Sequence, residues 1–110
     1  MQTKIPESGV VSSCLGLLEI IGIQAWRNNT GALKDNKGRL VRYGKKGSAD
    51  IIGILPGGKF LSVECKAPGG RVRPDQIDFM NMINKYGGLA CIVHSCDELM
   101  EVLKKNGVTR

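Results

Sequence analysis

At 110 residues the chain is the size of one compact domain, and it holds no run of about 18 apolar residues that could span a bilayer. Apolar residues make up 42% and charged residues 24%, proportions that exclude a disordered or fibrous chain. The formal net charge of +6 and a pI near 9.4 favour a polyanionic partner, because cations that neutralise phosphates release condensed counterions. The first residues, Met-Gln-Thr-Lys-Ile-Pro-Glu, lack the apolar core of a signal peptide, so the expected compartment is the cytoplasm. Cys14, Cys65, Cys91 and Cys96 show no C-x-x-C spacing, and His94 is the one histidine, which argues against a closed zinc site. Three of the four lie in apolar runs, where a reduced cysteine packs as a small hydrophobe.

In chain order, the first element is a helix from about Pro6 to Ile21. Proline suits its first turn, Val10, Val11, Cys14, Leu17, Leu18 and Ile21 recur at helical spacing, and Gly22 ends it. Glu7 extends the apolar stripe, which sets its carboxylate at the rim of the core or aims it into a site. Ile23 to Arg27 reads as a short strand, broken by the turn residues Asn28-Asn29-Thr30-Gly31. The segment from Lys34 to Lys46 carries Lys34, Lys37, Arg39, Arg42, Lys45 and Lys46 around an Asp35-Asn36-Lys37-Gly38 turn, and predicts an exposed hairpin or loop. Two extended runs, Ala49–Leu55 and Lys59–Lys66, flank Pro56-Gly57-Gly58 and form an antiparallel hairpin. A helix follows from Asp75 to Tyr86, stopped at Gly87-Gly88, then a buried strand over Leu89–Val93. Ser95 or Asp97 caps a last helix with Leu99, Val102 and Leu103 inward, closed by Gly107. The order is α-β-β-β-α-β plus a C-terminal helix, an α/β chain.

The second hairpin carries the chemistry. Alternation along a strand puts Glu64 and Lys66 on one face and Cys65 on the other. A three-residue loop at Pro56-Gly57-Gly58 pairs Leu55 with Lys59 and sets Asp50 opposite Glu64; a two-residue loop without a bulge flips Asp50 away. Two carboxylates brought close repel unless a cation or proton lies between them. A hard divalent cation relieves that repulsion, and it lowers the pKa of bound water and offsets charge on a phosphate. Lys66 adds a point charge for the attacking water or the transition state. Glu-x-Lys alone is common on wet strand faces. Here, however, Asp50 and Glu64 both stand at the ends of apolar runs, Ile51–Leu55 and Phe60–Val63.

Gly47-x-x-Asp50, Ile51-Ile52-Gly53 and Val63-Glu64-Cys65-Lys66 together resemble the Asp…Glu-x-Lys core of the restriction-endonuclease-like nucleases, and within them the VRR-NUC group. The helix bearing Glu7, Trp26-Arg27-Asn28 with Gly31, and Gly70-Arg71-x-x-Pro74-x-Gln76-x-x-Phe79 match as well. Ala49 departs from the superfamily pattern, which often has a non-ligand proline before the aspartate. The resemblance implies a mixed central sheet flanked by helices. It implies Mg²⁺ or Mn²⁺ on Asp50, Glu64 and the Cys65 carbonyl, completed by Glu7 directly or through water. It implies a catalytic Lys66, and Gln76 supporting the lysine or the water.

Members this short resemble dimeric junction-resolving enzymes of phages. The expected partner is therefore branched DNA, with four-way junctions foremost, and the expected assembly is a homodimer. The apolar face of the first helix offers either an interface or plain core. Lys34, Lys37, Arg39, Arg42, Lys45, Lys46, Arg71 and Arg73 would hold backbone phosphates. With five aromatics in the chain, a stacking platform for single strands is poorly supplied. The alternatives are a flap or nicking nuclease with the same residues, or a DNA-binding module that keeps the fold without cleavage.

Overall fold

The computed structural model describes residues 5–109. It begins with α1 (Glu7–Ile20) and β1 (Gln24–Arg27). The strands β2 (Gly31–Lys34) and β3 (Leu40–Tyr43) follow, then β4 (Ile51–Leu55) and β5 (Lys59–Cys65). The chain ends with α2 (Pro74–Lys85), β6 (Leu89–Val93) and α3 (Cys96–Lys105). Four strands form a mixed sheet in the order β1-β4-β5-β6. β1 and β5 run antiparallel to β4, while β6 lies parallel to β5. That parallel pair needs a crossover, which α2 supplies. The arrangement is a restriction-endonuclease-like one, a mixed central sheet flanked by helices.

Alternation along the strands divides the sheet into two faces. Ile51, Leu55, Leu61, Val63, Cys65, Leu89, Cys91 and Val93 line the face covered by α1 and α3. There they meet Val10, Val11, Cys14 and Leu18 from α1 and Leu99 and Leu103 from α3. Burying one such aliphatic side chain stabilises the fold by about 1.5–3 kcal/mol. The apolar face of α1 is thus consumed by the chain's own core and is not free to serve as an interface. The other face carries Ile52, Ile54, Ser62, Glu64 and Ala90, with α2 over its β5–β6 half. Among the described residues no helix is long and apolar enough to cross a membrane.

Local signals set the helix ends. Gly22, at φ 82°, lets its own N–H reach the Glu19 carbonyl at 3.1 Å and the Ile23 N–H reach the Leu18 carbonyl at 2.9 Å, which closes α1. Ser95, and not Asp97, caps α3: its Oγ accepts the Glu98 N–H at 3.1 Å.

The basic segment folds as a hairpin, and β2 begins at Gly31, inside the stretch that the sequence marks as a turn. Asp35 holds the tip together, its Oδ1 accepting the Lys37 and Arg39 N–H groups at 2.9 and 2.8 Å. All eight strand residues are exposed. Cross-strand pairing puts Leu33, Val41 and Tyr43 on one side, and Ala32, Lys34, Leu40 and Arg42 on the other. The arm extends the molecule: its radius of gyration is 14.9 Å, against about 13 Å for a compact domain of this length.

Candidate metal centre

The turn between β4 and β5 decides which side chains meet. Leu55 pairs with Lys59 and Ile51 with Val63, so Pro56, Gly57 and Gly58 form the three-residue loop, with the Gly58 N–H on the Leu55 carbonyl at 3.0 Å. One step beyond Ile51, Asp50 stands opposite Glu64. The first turn of α1 brings Glu7 to the same end. Carboxylate oxygens of Glu7, Asp50 and Glu64 all lie within 4.8 Å of one another, the one such acidic group found among the described residues. Lys66 reaches in from the end of β5, its Nζ 4.0 Å from Glu7 Oε1 and 3.9 Å from Glu64 Oε2.

Burial sharpens the electrostatics. Glu64 and Lys66 are each 5% exposed, whereas Glu7 lies open to solvent. Burial first, then a hydrogen bond and repulsion from Asp50, push the Glu64 carboxyl up to about 8, and Lys66 only partly offsets this. Without a divalent cation, a proton on Glu64 relieves the repulsion; a divalent cation among the acids would let Glu64 ionise. The donors are oxygens alone, since the one histidine is held by Glu98 and the Cys65 thiol faces the core. Such a set fits a hard divalent ion and not zinc or another soft metal.

The supporting contacts fix Asp50 from both sides. Its Oδ2 accepts the Cys65 N–H at 2.8 Å. In a strand, the N–H and C=O of one residue point to the same neighbour, so the Cys65 carbonyl faces the Asp50 side as well. The Asn28 N–H donates to the Asp50 carbonyl at 2.7 Å, and its side-chain amide donates to Ser48 Oγ at 2.8 Å and the Ala49 carbonyl at 3.0 Å. Asn28 therefore clamps the loop ahead of Asp50, a role that its turn chemistry alone did not disclose. Gly47, at φ 82°, lies so near the first turn of α2 that a Cβ would sit 2.6 Å from the Asp75 carbonyl oxygen. Behind the strand, the Cys65 thiol is raised by its hydrogen bond with Cys14 and by burial, and burial pushes Cys91 up to about 12. All four cysteines are unpaired thiols.

Gln76 is buried, and its Oε1 accepts the Arg73 N–H at 3.0 Å, capping α2. The basic residues divide into two sets. Lys34, Arg42, Lys45, Lys46 and Arg71 are exposed, as is Lys37 at the arm's tip. Arg39 is paired instead with Asp35 (Nε to Oδ2, 2.9 Å) and Arg73 with Asp75.

A model of the VRR-NUC domain family matches residues 14–97. The span takes in Asp50, Glu64, Lys66 and Gln76 and leaves Glu7 outside. No curated protein matches the chain.

Proposed function

The chain belongs to the VRR-NUC domain family and is a nuclease-type, DNA-processing domain; from that premise we propose that it is a metal-dependent endonuclease that cuts branched DNA, four-way junctions foremost. The observation that carries the reading is the convergence of Glu7, Asp50 and Glu64 within 4.8 Å with the Lys66 ammonium about 4 Å away. Asp50, Glu64, Glu7 and the Cys65 carbonyl would hold Mg²⁺ or Mn²⁺, which when bound supplies Lewis acidity toward phosphate and water. Lys66, buried and aimed at the acids, sets a fixed positive charge where negative charge develops on the phosphate in the transition state. A preorganised charge in a site with little water acts there without reorientation. Water adds at phosphorus, the P–O bond to the leaving strand breaks, and the products are a phosphate monoester and a hydroxyl. Gln76, one turn into α2, would steady Lys66 or the water with its amide nitrogen.

Lys34, Lys37, Arg42, Lys45, Lys46 and Arg71 offer a phosphate-seeking surface on the arm and the loops beside the site, with Arg39 and Arg73 available once they leave their carboxylates. The protein would act as a homodimer, since paired cuts across a junction need two centres. Its free thiols suit a reducing compartment such as the cytoplasm.

The test is cleavage of a labelled four-way junction beside flap and linear duplex controls, in Mg²⁺, Mn²⁺ or EDTA. Paired, metal-dependent incisions in the junction are expected. Lys66→Ala should lose about 10²–10³-fold in rate while still binding the junction. Cutting of flaps alone would discard the junction assignment, and full activity in Lys66→Ala would remove the lysine from the mechanism. Binding without cleavage of any substrate would favour the module that keeps the fold without the reaction.

A further inference from the structure

Beside the metal centre lies a cleft that the acids do not occupy. It encloses about 320 Å³ between the base of the β2–β3 arm and the segment leading into α2. Three cationic side chains line it, Arg42 from the arm, Lys46 from the following loop and Arg73 from the start of α2. Gly44 and Gly47 line it too, and Gly47 lies three residues before Asp50. The cleft is therefore continuous with the segment that delivers a carboxylate to the metal centre. Its size stands at the low end of the range for small-ligand sites, roughly 300–1,000 Å³, enough for a phosphate with its sugar and too small for a duplex.

Just outside that lining, in the first turn of α2, stands Asp75. Asp75 faces Arg73 with both oxygens, at 3.1 Å to Nε and 3.4 Å to Nη2. Its carboxyl is held below the usual range, first by Arg73 and further on by the charge of Lys46, so it feels two of the three cations at once. Arg73 in turn is raised chiefly by Asp75, with further contributions from Glu64 and Glu7, which sets it within the field of the metal centre. A two-point carboxylate on a guanidinium has the geometry with which arginine takes a phosphate. The pair is exposed, with side chains 58% and 28% accessible, so exchange of one anion for another costs little.

We propose that this cleft seats one phosphate of the substrate strand away from the scissile bond, and that Asp75 is a place-holding counter-ion which that phosphate displaces from Arg73. The idea rests on the nuclease reading for its substrate but not for its test. Bound this way, the strand is fixed at two points, the cleft and the metal centre, which sets where along it the cut falls. The basic side of the arm, with Lys34 on the same side as Arg42, carries the backbone onward. The phosphate is either an internal diester or a terminal monoester; both offer the same oxygens to Arg73.

Binding, read by fluorescence anisotropy in EDTA, tests the cleft apart from catalysis. The probes are four-way junctions with a single uncharged methylphosphonate at successive positions, and matched junctions with or without 5′-phosphates. With an internal diester, one methylphosphonate position should weaken wild-type binding about tenfold, or 1.4 kcal/mol. With a terminal monoester, loss of the 5′-phosphate should do so instead. In Arg73→Ala the penalty should vanish and the salt slope should fall by about 1. Asp75→Asn should bind about threefold tighter, the scale of an exposed ion pair. Asp78→Asn, which removes the same charge from α2 at a residue not paired with Arg73, should gain less. The same penalty in Arg73→Ala as in the wild type, or an Asp75→Asn no tighter than Asp78→Asn, would overturn the proposal. A protein that cuts nothing yet keeps this binding pattern would sink the nuclease reading and leave the cleft standing. Cleavage with a flat methylphosphonate profile and no dependence on the 5′-phosphate would do the reverse.

Discussion

A carboxyl group that is 5% exposed and faces two other acids holds its proton to high pH unless a divalent cation joins it, and Glu64 is in that position, with Lys66 offsetting only part of the repulsion. In the unfolded chain it titrates near 4.5, and in the folded protein burial, followed by contact with Asp50, lifts it to about 8. Between those values the metal-free folded state holds a proton that the unfolded state has lost. Stability must then fall as pH rises through that window and level off above it. Thermal melts in EDTA from about pH 5 to about pH 9 should show the midpoint dropping by about 5 °C or more. Glu64→Gln should flatten the profile, and Mg²⁺ should restore the wild-type midpoint at the alkaline end, because ligand binding to the ionised acids replaces the proton. A flat wild-type profile would show that Glu64 ionises freely and does not share the site with Asp50. Asp50, Glu64 and Lys66 were legible at this scale because a strand has a period of two and a three-residue turn fixes its register. The clamp by Asn28 was not, because it acts on a loop whose neighbours are set only by the fold.

Among the elements, the loop from Gly44 to Asp50 is held closely against α2. It passes so close to α2 that a methyl group on Gly47 would meet the Asp75 carbonyl at 2.6 Å, and its φ of 82° disfavours any other residue. Gly47→Ala should therefore destabilise the fold by about 1–3 kcal/mol, and it should lower activity by shifting Asp50 and the start of α2 together. Urea unfolding reads the first effect; a midpoint equal to the wild type's would mean that loop and helix part without cost. The reading of elements from sequence succeeded where a stop signal has a mechanism. Gly22 and Gly107 close helices, Ser95 caps one, and Pro56-Gly57-Gly58 sets the hairpin. It fell short at β2, where Gly31-Ala32-Leu33-Lys34 has weak strand character and exposure throughout. That strand forms through the Asp35 turn and its pairing with β3, neither of which gives an apolar alternation to read.

For the molecule as a whole, the arithmetic of cutting bears on assembly. The described residues of one chain bring together a single acidic cluster, enough for one incision at a time. Resolving a junction takes two incisions placed symmetrically before the DNA departs. A monomer would have to release, turn and rebind, and the nicked junction would meanwhile relax and lose its shape. Two copies on a twofold axis hold both centres at a fixed spacing, and the formal charge of +6 per chain is then doubled on one body, which slows escape from the DNA between cuts. In the proposed dimer the twofold contact would have to lie elsewhere than on the apolar face of α1, which is buried in the core. Sedimentation equilibrium should accordingly give twice the chain mass of 11.9 kDa at micromolar concentration. A supercoiled plasmid that extrudes a cruciform should go straight to linear product, with little nicked circle accumulating. A monomer that nevertheless yields linear product directly would mean that the second cut is fast for some reason other than a paired centre. Accumulation of nicked circles by a monomer would instead make this a nicking enzyme, with the same residues at its centre and a different substrate.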